Sequence, residues 1–462
     1  MAGLTSSGVG SGLDINSLVA QLVAAEKATP QKQITRQQTS TVTTISALGR
    51  LKGAVGSFNT TLTQLKTIDA FSGRTASSSK PEIFTATAST SAAAGTYDIE
   101  VVQIATSAQI KSKEFAGGAG QVVGTGTLTV TVGTKDFQIA VDAAHNTLAG
   151  IRDSINQASG NTDLVRATIV NATDGAHLVL TGTATGEANS ITVAQADGNG
   201  GLASLVYNPT LTTNYAPDSR LAQDSIVAVA GFAKHSATTT VSDIIDGVSF
   251  ALLKEDPGTI HTLTVANDKG TVTTRIKNFV DQYNSMVSTL ASLRSYEPTT
   301  KVAGPLLGDA MLRGIETDIR RALTNTTSGS TVFSSLAAIG VTTQKDGSLL
   351  LDNAKLTTAL NDNFDEVAKL FGGENGVATR LSDALTPRLA DDAEIDVRSK
   401  RLNQKSVELQ KQQVALETRM AAVEARYKKQ FNALDSLLSK LQSTSSFLTQ
   451  QLSSISKIGS NQ

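Results

Sequence analysis

The sequence predicts an α+β multidomain protein in which N- and C-terminal segments form a helical stalk or coiled coil, with two β-rich modules inserted between them. Three observations carry this expectation. Apolar residues near both ends recur with a helical period, those from about Pro81 alternate with period two, and the helical period returns at about residue 269. At 462 residues the chain is longer than one hydrophobic core organises, so two to four domains are expected.

A Gly/Ser/Thr-rich lead runs into SGLDINSLVAQLVAAEKATP, residues 11–30. Asp14 is a good N-cap there, and Ile15, Leu18, Val19, Leu22 and Val23 fall at i, i+3, i+4, i+7 and i+8. Pro30 is expected to end or kink this helix. A second helix follows with Leu48, Leu51, Val55, Phe58, Leu62 and Leu65 on one face, and it stops at the loop FSGRTASSSKP.

Beyond Pro81, Tyr97, Ile99 and Val101 alternate with polar residues, and 126–141 reads as a hairpin around a Gly-containing turn. TLAGIRDSINQA gives a short helix with Leu148, Ile151 and Ile155 inward; LVRATIV and HLVLTG are strands joined by the Asp-Gly turn of NATDG. The helical pattern then resumes over Val272–Leu293, and helices near 309–323 and 353–371 flank a short strand pair in IGVTTQKDGSLLLD. From 394 to 458 Leu402, Leu409, Leu416 and Val423 repeat every seven residues, while Met420, Tyr427, Leu434, Leu441, Leu448 and Ile455 form a second row. Gln413, Gln430, Thr444 and Gln451 soften the two rows.

The expected division is 1–43 as an N-terminal export and stalk helix, 44–80 with 269–427 as a helical leg, and 428–462 as a C-terminal stalk helix. Residues 81–115 with 216–268 make one β-rich inserted domain and 116–215 a second, α+β one.

Composition narrows the function. A net charge of −1 gives no field that would gather nucleic acid or anionic lipid, and the absence of Cys removes disulfides, thiolate metal sites and a Cys nucleophile. Aromatic residues make up 4%, with no Trp, which suits helical bundles and small sheets better than a deep aromatic-lined pocket. No run of apolar residues is long enough to span a membrane. The N-terminus lacks the charged region of a secretory signal, so composition alone suggests a cytoplasmic protein.

No catalytic, cofactor-binding or metal-binding set is predicted. His145, His177, His235 and His261 are widely separated and read as solvated or strand-surface residues. Ser77 to Lys80 has the S-x-x-K spacing of an activated serine, but neither S-D-N nor K-T-G accompanies it, and a Ser-rich linker is the better reading. GAGQVVG, 118–124, has the wrong glycine spacing for a dinucleotide loop and reads as a flexible joint. NDNFDE has Glu366 where a calcium loop needs Gly, so its acids read as a solvated helix face; DDAEID, 391–396, reads as carboxylates at the positive end of a helix.

GVGSGLDINSLVAQLVAAEKATP is similar to the N-terminal pattern of the flagellar filament cap proteins, the hook-associated protein 2 family. DIIDGVSFALL, FVDQYNSMVSTL, GPLLGD and LAAIGVTTQKDGSLLLDNAKLTTALNDNFDEVAKLF resemble its later signatures, and 147–193 resembles a module that recurs in flagellins and hook-associated proteins. VAVAGFAKHSATTTV lacks the Asn residues expected near Ala230 and Thr239.

The resemblance implies export through the flagellar type III apparatus without a cleaved signal, which replaces the cytoplasmic inference by a secreted, extracellular location at the filament tip. It implies a non-enzymatic homo-oligomeric ring, expected as a pentamer or hexamer, that promotes flagellin polymerisation beneath it. Flagellin, the hook–filament junction proteins and a cytoplasmic export chaperone at the C-terminal helices are the implied partners. Two alternatives stand beside it: a junction or flagellin-like subunit, and an adhesin binding host mucin or glycans through the β-rich modules. Neither nucleic acid nor a membrane span is expected. The expected interface residues are Ile15, Leu18, Leu22 and Val23 at one end and Leu434, Leu441, Leu448 and Ile455 at the other, while Leu402 to Val423 are expected as core. The partner of the first helix is expected beyond Phe431 or in a neighbouring copy.

Overall fold

The computed structural model describes residues 14–209, 214–325 and 330–458, with side-chain surroundings to 453. Helix α1 (Ile15–Thr63) opens the described chain. Strands β1 (Arg74–Ser78), β2 (Phe84–Ala88), β3 (Gly95–Gln103), β4 (Ser107–Lys111), β5 (Gly126–Val132) and β6 (Lys135–Val141) lead to helix α2 (Leu148–Gln157). Next come β7 (Val165–Asn171), β8 (Ala176–Thr185), β9 (Ile191–Ala196), β10 (Ser225–Val229), β11 (Phe232–Ser236), β12 (Thr240–Ser242), β13 (Val248–Leu252) and β14 (His261–Asn267). Helix α3 (Lys269–Arg294), the hairpin β15 (Tyr296–Glu297) and β16 (Val302–Ala303), and helix α4 (Ala310–Thr324) follow. The hairpin β17 (Val341–Thr343) and β18 (Leu349–Leu351) precedes α5 (Asn353–Asp362), α6 (Phe364–Phe371), α7 (Val377–Leu389) and α8 (Glu394–Ile458). These elements form two compact units, 69–272 and 1–68 with 273–462.

In the strand-rich unit, sheet β1-β14-β3-β10-β11 and sheet β12-β13-β2 share one core built on Phe84, Ile99, Val101, Val227, Phe250 and Leu263. Alternation explains it: the buried residues of β3 and β14 are two apart, so one face of each strand is apolar. Residues 74–78, expected as loop, are strand β1, whose register on β14 runs from Arg74↔Asn267 to Ser78↔Leu263. The small and polar side chains here carry little sequence signal, but an edge strand needs only one paired neighbour. The β10–β11 hairpin turns at Ala230 and Gly231, both left-handed with φ of 49° and 86°. That backbone suits Asn-Gly, so the missing Asn leaves an alanine in a costly conformation.

Sheets β4-β8-β7 and β6-β5-β9 build a second core with α2, centred on Leu128, Val130, Leu148, Ile151, Leu178 and Leu180. Thr147 caps α2 by accepting from Gly150 N at 3.1 Å. Asn161 ties helix to strand: its amide donates to Ile155 O at 2.9 Å and Val165 O at 2.8 Å, while its oxygen accepts from Leu164 N and Val165 N. GAGQVVG is a packed connector rather than a flexible joint, because Val123 N donates to Asn146 O at 2.8 Å and a Cβ on Gly124 would lie 2.8 Å from Gly201 Cα.

In the helical unit the core is aromatic at its centre, with Phe58 of α1, Phe279 and Tyr283 of α3 and Phe371 of α6 in contact. Asp309 caps α4 and Asp352 caps α5, each accepting from two backbone N–H groups of the first turn. The helix expected over 353–371 is broken at Asn363 into α5 and α6. The expected break at Pro30 is absent: α1 is one 49-residue helix with Pro30 inside it. An interior proline removes one helical hydrogen bond and costs about 3 kcal/mol in isolation. Val23 and Ile34, on either side of Pro30, both pack on the same cluster of α8, and that packing carries the helix through.

Candidate assembly interface

The pairing of α1 with α8 is antiparallel. The order is plain from two contacts: Glu26 meets Tyr427, whose hydroxyl donates to Glu26 Oε2 at 3.4 Å, and Lys52 faces Asp396 at 3.7 Å. Asp14 starts α1 by accepting from Ser17 N at 3.0 Å. Leu416, Met420 and Val423 of α8 are buried with Val23, Ile34 and Tyr427 against them. Between these lies an amide pair, Gln31 and Gln413, hydrogen-bonded in both directions at 2.8 and 2.9 Å.

The base of α8 is fixed by charge. Arg388 of α7 joins Asp318 of α4 at 2.8 Å and Glu394 of α8 at 3.3 Å, and Arg398 pairs with Asp309. Lys400 bridges Asp392 at 2.7 Å and Asp396 at 2.8 Å, which holds the Asp396 carboxyl below its usual range and the lysine above its own. The acids of 391–396 therefore do more than face a helix dipole. Glu366, expected on a solvated face, is largely covered; it pairs with Lys369 at 2.8 Å and accepts from Ser330 Oγ at 2.8 Å and Thr331 N at 2.7 Å. Lys369 first, then those two donors, bring its pKa down to about 2.

The structure separates the expected interface residues. Ile15 is buried, as is Val19, and Val23 is half-buried on the α8 cluster. Leu18 and Leu22 are 37% and 39% exposed, so the first turns of α1 show an apolar strip flanking Val19. On α8, Leu409, Leu416 and Val423 are buried, whereas Leu434, Leu441 and Leu448 are 47%, 57% and 55% exposed. Ile455 lies on the last turns of α8 and its side chain falls outside the described residues. The partner of Val23 is the segment Leu416–Tyr427, before Phe431, whereas the antiparallel offset places Ile15 opposite about residue 433, beyond it.

Beyond that point α8 continues for roughly 35 Å at 1.5 Å per residue. This stretch carries Leu437, Phe447 and Leu452, which the sequence reading left out, with Leu434, Leu441 and Leu448. The i, i+7, i+14, i+18 spacing of Leu434, Leu441, Leu448 and Leu452 was the available signal.

Titratable groups elsewhere have structural partners. His177 places Nδ1 2.8 Å from Ser112 O and Nε2 3.2 Å from Asp174, contacts that raise its pKa. His261 is not on a strand surface: it is buried and sits 3.0 Å from Asp256. Ser77 lies within β1, and Lys80 pairs with Glu82 at 3.6 Å. Among the described residues no group of three His, Asp or Glu side chains is arranged to hold a metal, and no helix is long and apolar enough to cross a membrane.

A chain whose two terminal helices pair antiparallel, with one running on into an uncovered apolar stripe, has the build of a structural assembly protein. The known proteins agree. The profile of the flagellar hook-associated protein 2 N-terminus matches residues 11–108 and that of its C-terminus residues 222–443. The B-type flagellar hook-associated protein 2 of Pseudomonas aeruginosa is 36% identical over 98% of both chains, and flagellar hook-associated protein 2 of Escherichia coli K12 is 35% identical over 98% of both. The solved D1–D2–D3 domains of the flagellar cap protein FliD from Escherichia coli match with a TM-score of 0.58 and 31% identity, covering 77% of this chain and 99% of that one. This chain belongs to the flagellar hook-associated protein 2 family.

Proposed function

We propose that this protein caps the tip of the bacterial flagellar filament and promotes flagellin polymerisation beneath it, as a non-enzymatic homo-oligomeric ring. The observation that carries the reading, beside family membership, is the uncovered apolar stripe from Leu434 to Leu452 past the end of the α1 pairing. Such a stripe gains stability only when a partner buries it. In this reading 1–43 and 428–462 engage the filament, 44–80 with 269–427 form the leg, and the two inserted domains, 81–115 with 216–268 and 116–215, form the plate. Ile15, Leu18, Leu22, Val23, Leu434, Leu441, Leu448 and Ile455 supply the contact surface. Type III export carries the chain to the tip, with a cytoplasmic chaperone masking the C-terminal helix beforehand.

Deleting the gene tests the reading: flagellin should appear as soluble monomer in the medium and filaments should be missing. Normal filaments in that strain would refute it. End-on electron microscopy of the purified protein should show small closed rings, and long self-assembled tubes would instead favour a filament subunit.

A further inference from the structure

We propose that Asn199 is a self-modifying site, at which the backbone nitrogen of Gly200 converts the side-chain amide to a carboxylate by way of a succinimide. Asn precedes Gly twice in the chain, at 199–200 and at 375–376. Glycine, having no Cβ, leaves its nitrogen the most open to the preceding side chain. The fold treats the two pairs in opposite ways.

Asn199 lies in DGNGG, 197–201, which joins β9 to the short helical turn Gly201–Leu205. Its Oδ1 accepts from Thr125 N and from Gly201 N, both at 3.1 Å. The second of these bonds is an Asx turn, which folds the side chain back along the Gly200 peptide. Two N–H groups on one oxygen polarise Cγ, and they are already placed to hold the negative charge that the oxygen gains under attack. The Nδ2 amine that must leave and the Gly200 N–H that must lose its proton have no hydrogen-bond partner among the described residues. Both residues are exposed, so water and hydroxide reach the pair. A Cβ at Gly200 would meet no atom within 4 Å, which leaves room for the ring to close.

Asn375 is held differently. Gly376 is buried, and a Cβ there would stand 2.2 Å from Phe371 O. Its N–H donates to Gly373 O at 3.2 Å, and α7 begins at the next residue, Val377. Arg380 Nη1 further fixes this corner by donating to Asn375 O at 2.8 Å. The nitrogen that would attack is engaged and shielded.

At Asn199 hydroxide takes the Gly200 amide proton and the nitrogen bonds to Cγ. The bond from Cγ to Nδ2 then breaks, and Nδ2 takes a proton from water and leaves as ammonia. Water next opens the ring at either carbonyl. Addition at Cγ gives aspartate; addition at the backbone carbonyl gives isoaspartate, with an extra methylene in the main chain. Asn199 N also donates to Thr125 O at 3.2 Å, so isoaspartate disturbs both bonds that tie the end of β9 to the residue before β5.

Full-length protein held at mildly alkaline pH and sampled over days tests this, by peptide mapping in a mass spectrometer with electron-transfer fragmentation to tell isoaspartate from aspartate. Asn199 should convert several-fold faster than Asn375 in the native chain, and the two should convert at one rate in urea, with Asn199 no faster there than when folded. Gly200→Ala, whose added methyl finds open space but crowds the attacking nitrogen, should slow native conversion several-fold with circular dichroism unchanged. Equal native rates at the two sites would overturn the proposal. So would a difference between them that survives in urea, an Asn199 rate that rises on unfolding, or a folded Gly200→Ala chain that converts as fast as its parent.

Discussion

Phe58 meets Tyr283 edge-on, with ring centroids 5.6 Å apart and planes inclined at 69°, where α1 and α3 converge. Phe279 completes the contact at 5.6 Å from Phe58, and all three rings are buried. Truncation here leaves a cavity that rigid helices do not refill. Phe58→Ala should lower unfolding stability of the helical unit by about 3–5 kcal/mol. Tyr283→Phe, which removes only the donation to Gly347 O at 3.1 Å, should cost about 1 kcal/mol. Denaturant titration of the two variants would test the order, and equal losses would contradict it.

The hairpin tip supplies a gain rather than a loss. Ala230 holds a φ of 49°, a conformation that costs an L-residue about 1–2 kcal/mol and costs glycine little. Ala230→Asn should therefore raise the melting temperature of the strand-rich unit, by calorimetry, and Ala230→Val should lower it.

Two groups give opposite pH dependences. Glu366 has its pKa depressed to about 2 by Lys369, Ser330 and Thr331, so its contribution is full above the unfolded value near 4.5 and is lost as pH falls toward 2. His177 has its pKa raised, first by donation to the Ser112 carbonyl and then by Asp174, so its contribution is full below 6.5 and is lost as pH rises through the folded value. Hydrogen exchange at Thr331 N should speed up on acidification in the native protein and be pH-independent, beyond the intrinsic rate, in Glu366→Gln. Exchange at Leu178 N, bonded to Ser112 Oγ at 2.8 Å, should speed up on the alkaline side.

On the two long helices, burial separates folding from assembly. Val19→Asp places a charge in a fully buried position and should unpair the start of α1, seen as early proteolytic cleavage there. Leu441→Asp with Leu448→Asp changes exposed positions and should leave the melting curve unmoved while abolishing motility on soft agar. Leu18→Asp with Leu22→Asp should likewise spare the strand-rich unit and weaken capping. Full motility in both double variants would contradict the interface assignment.

The heptads of α8 and the alternation of β3, β5 and β6 were readable because burial there follows one period along a continuous run. The helix does not end at Pro30, one of the two outcomes expected there, because a local rule meets a long-range one: Val23 and Ile34 are gripped by residues nearly four hundred positions away. Strand β1 carries little local signal for a related reason, since RTASS has no apolar residue larger than Ala76 and owes its conformation to β14. His261 reads as a surface residue from its polarity alone, although it shares the phase of Leu263 and Val265, and the ring joins that apolar face with Asp256 as its partner. At the interface, periodicity identified the rows; where burial stops along them depends on how far α1 reaches, which no local pattern contains.

Arg74 and Asn267 lie side by side, the first and last rungs of β1 and β14, with Arg74 Nη1 donating to Asn267 Oδ1 at 2.6 Å. The polypeptide thus leaves for nearly two hundred residues and returns to the neighbouring strand. Everything between forms a cassette closed in sequence by this clasp, with β3 inside it also paired to β14. Such a cassette can lengthen, shorten or be exchanged in descent while the clasp and the helices that flank it in sequence stay as they are, so diversity among filament tips has a ready place to accumulate.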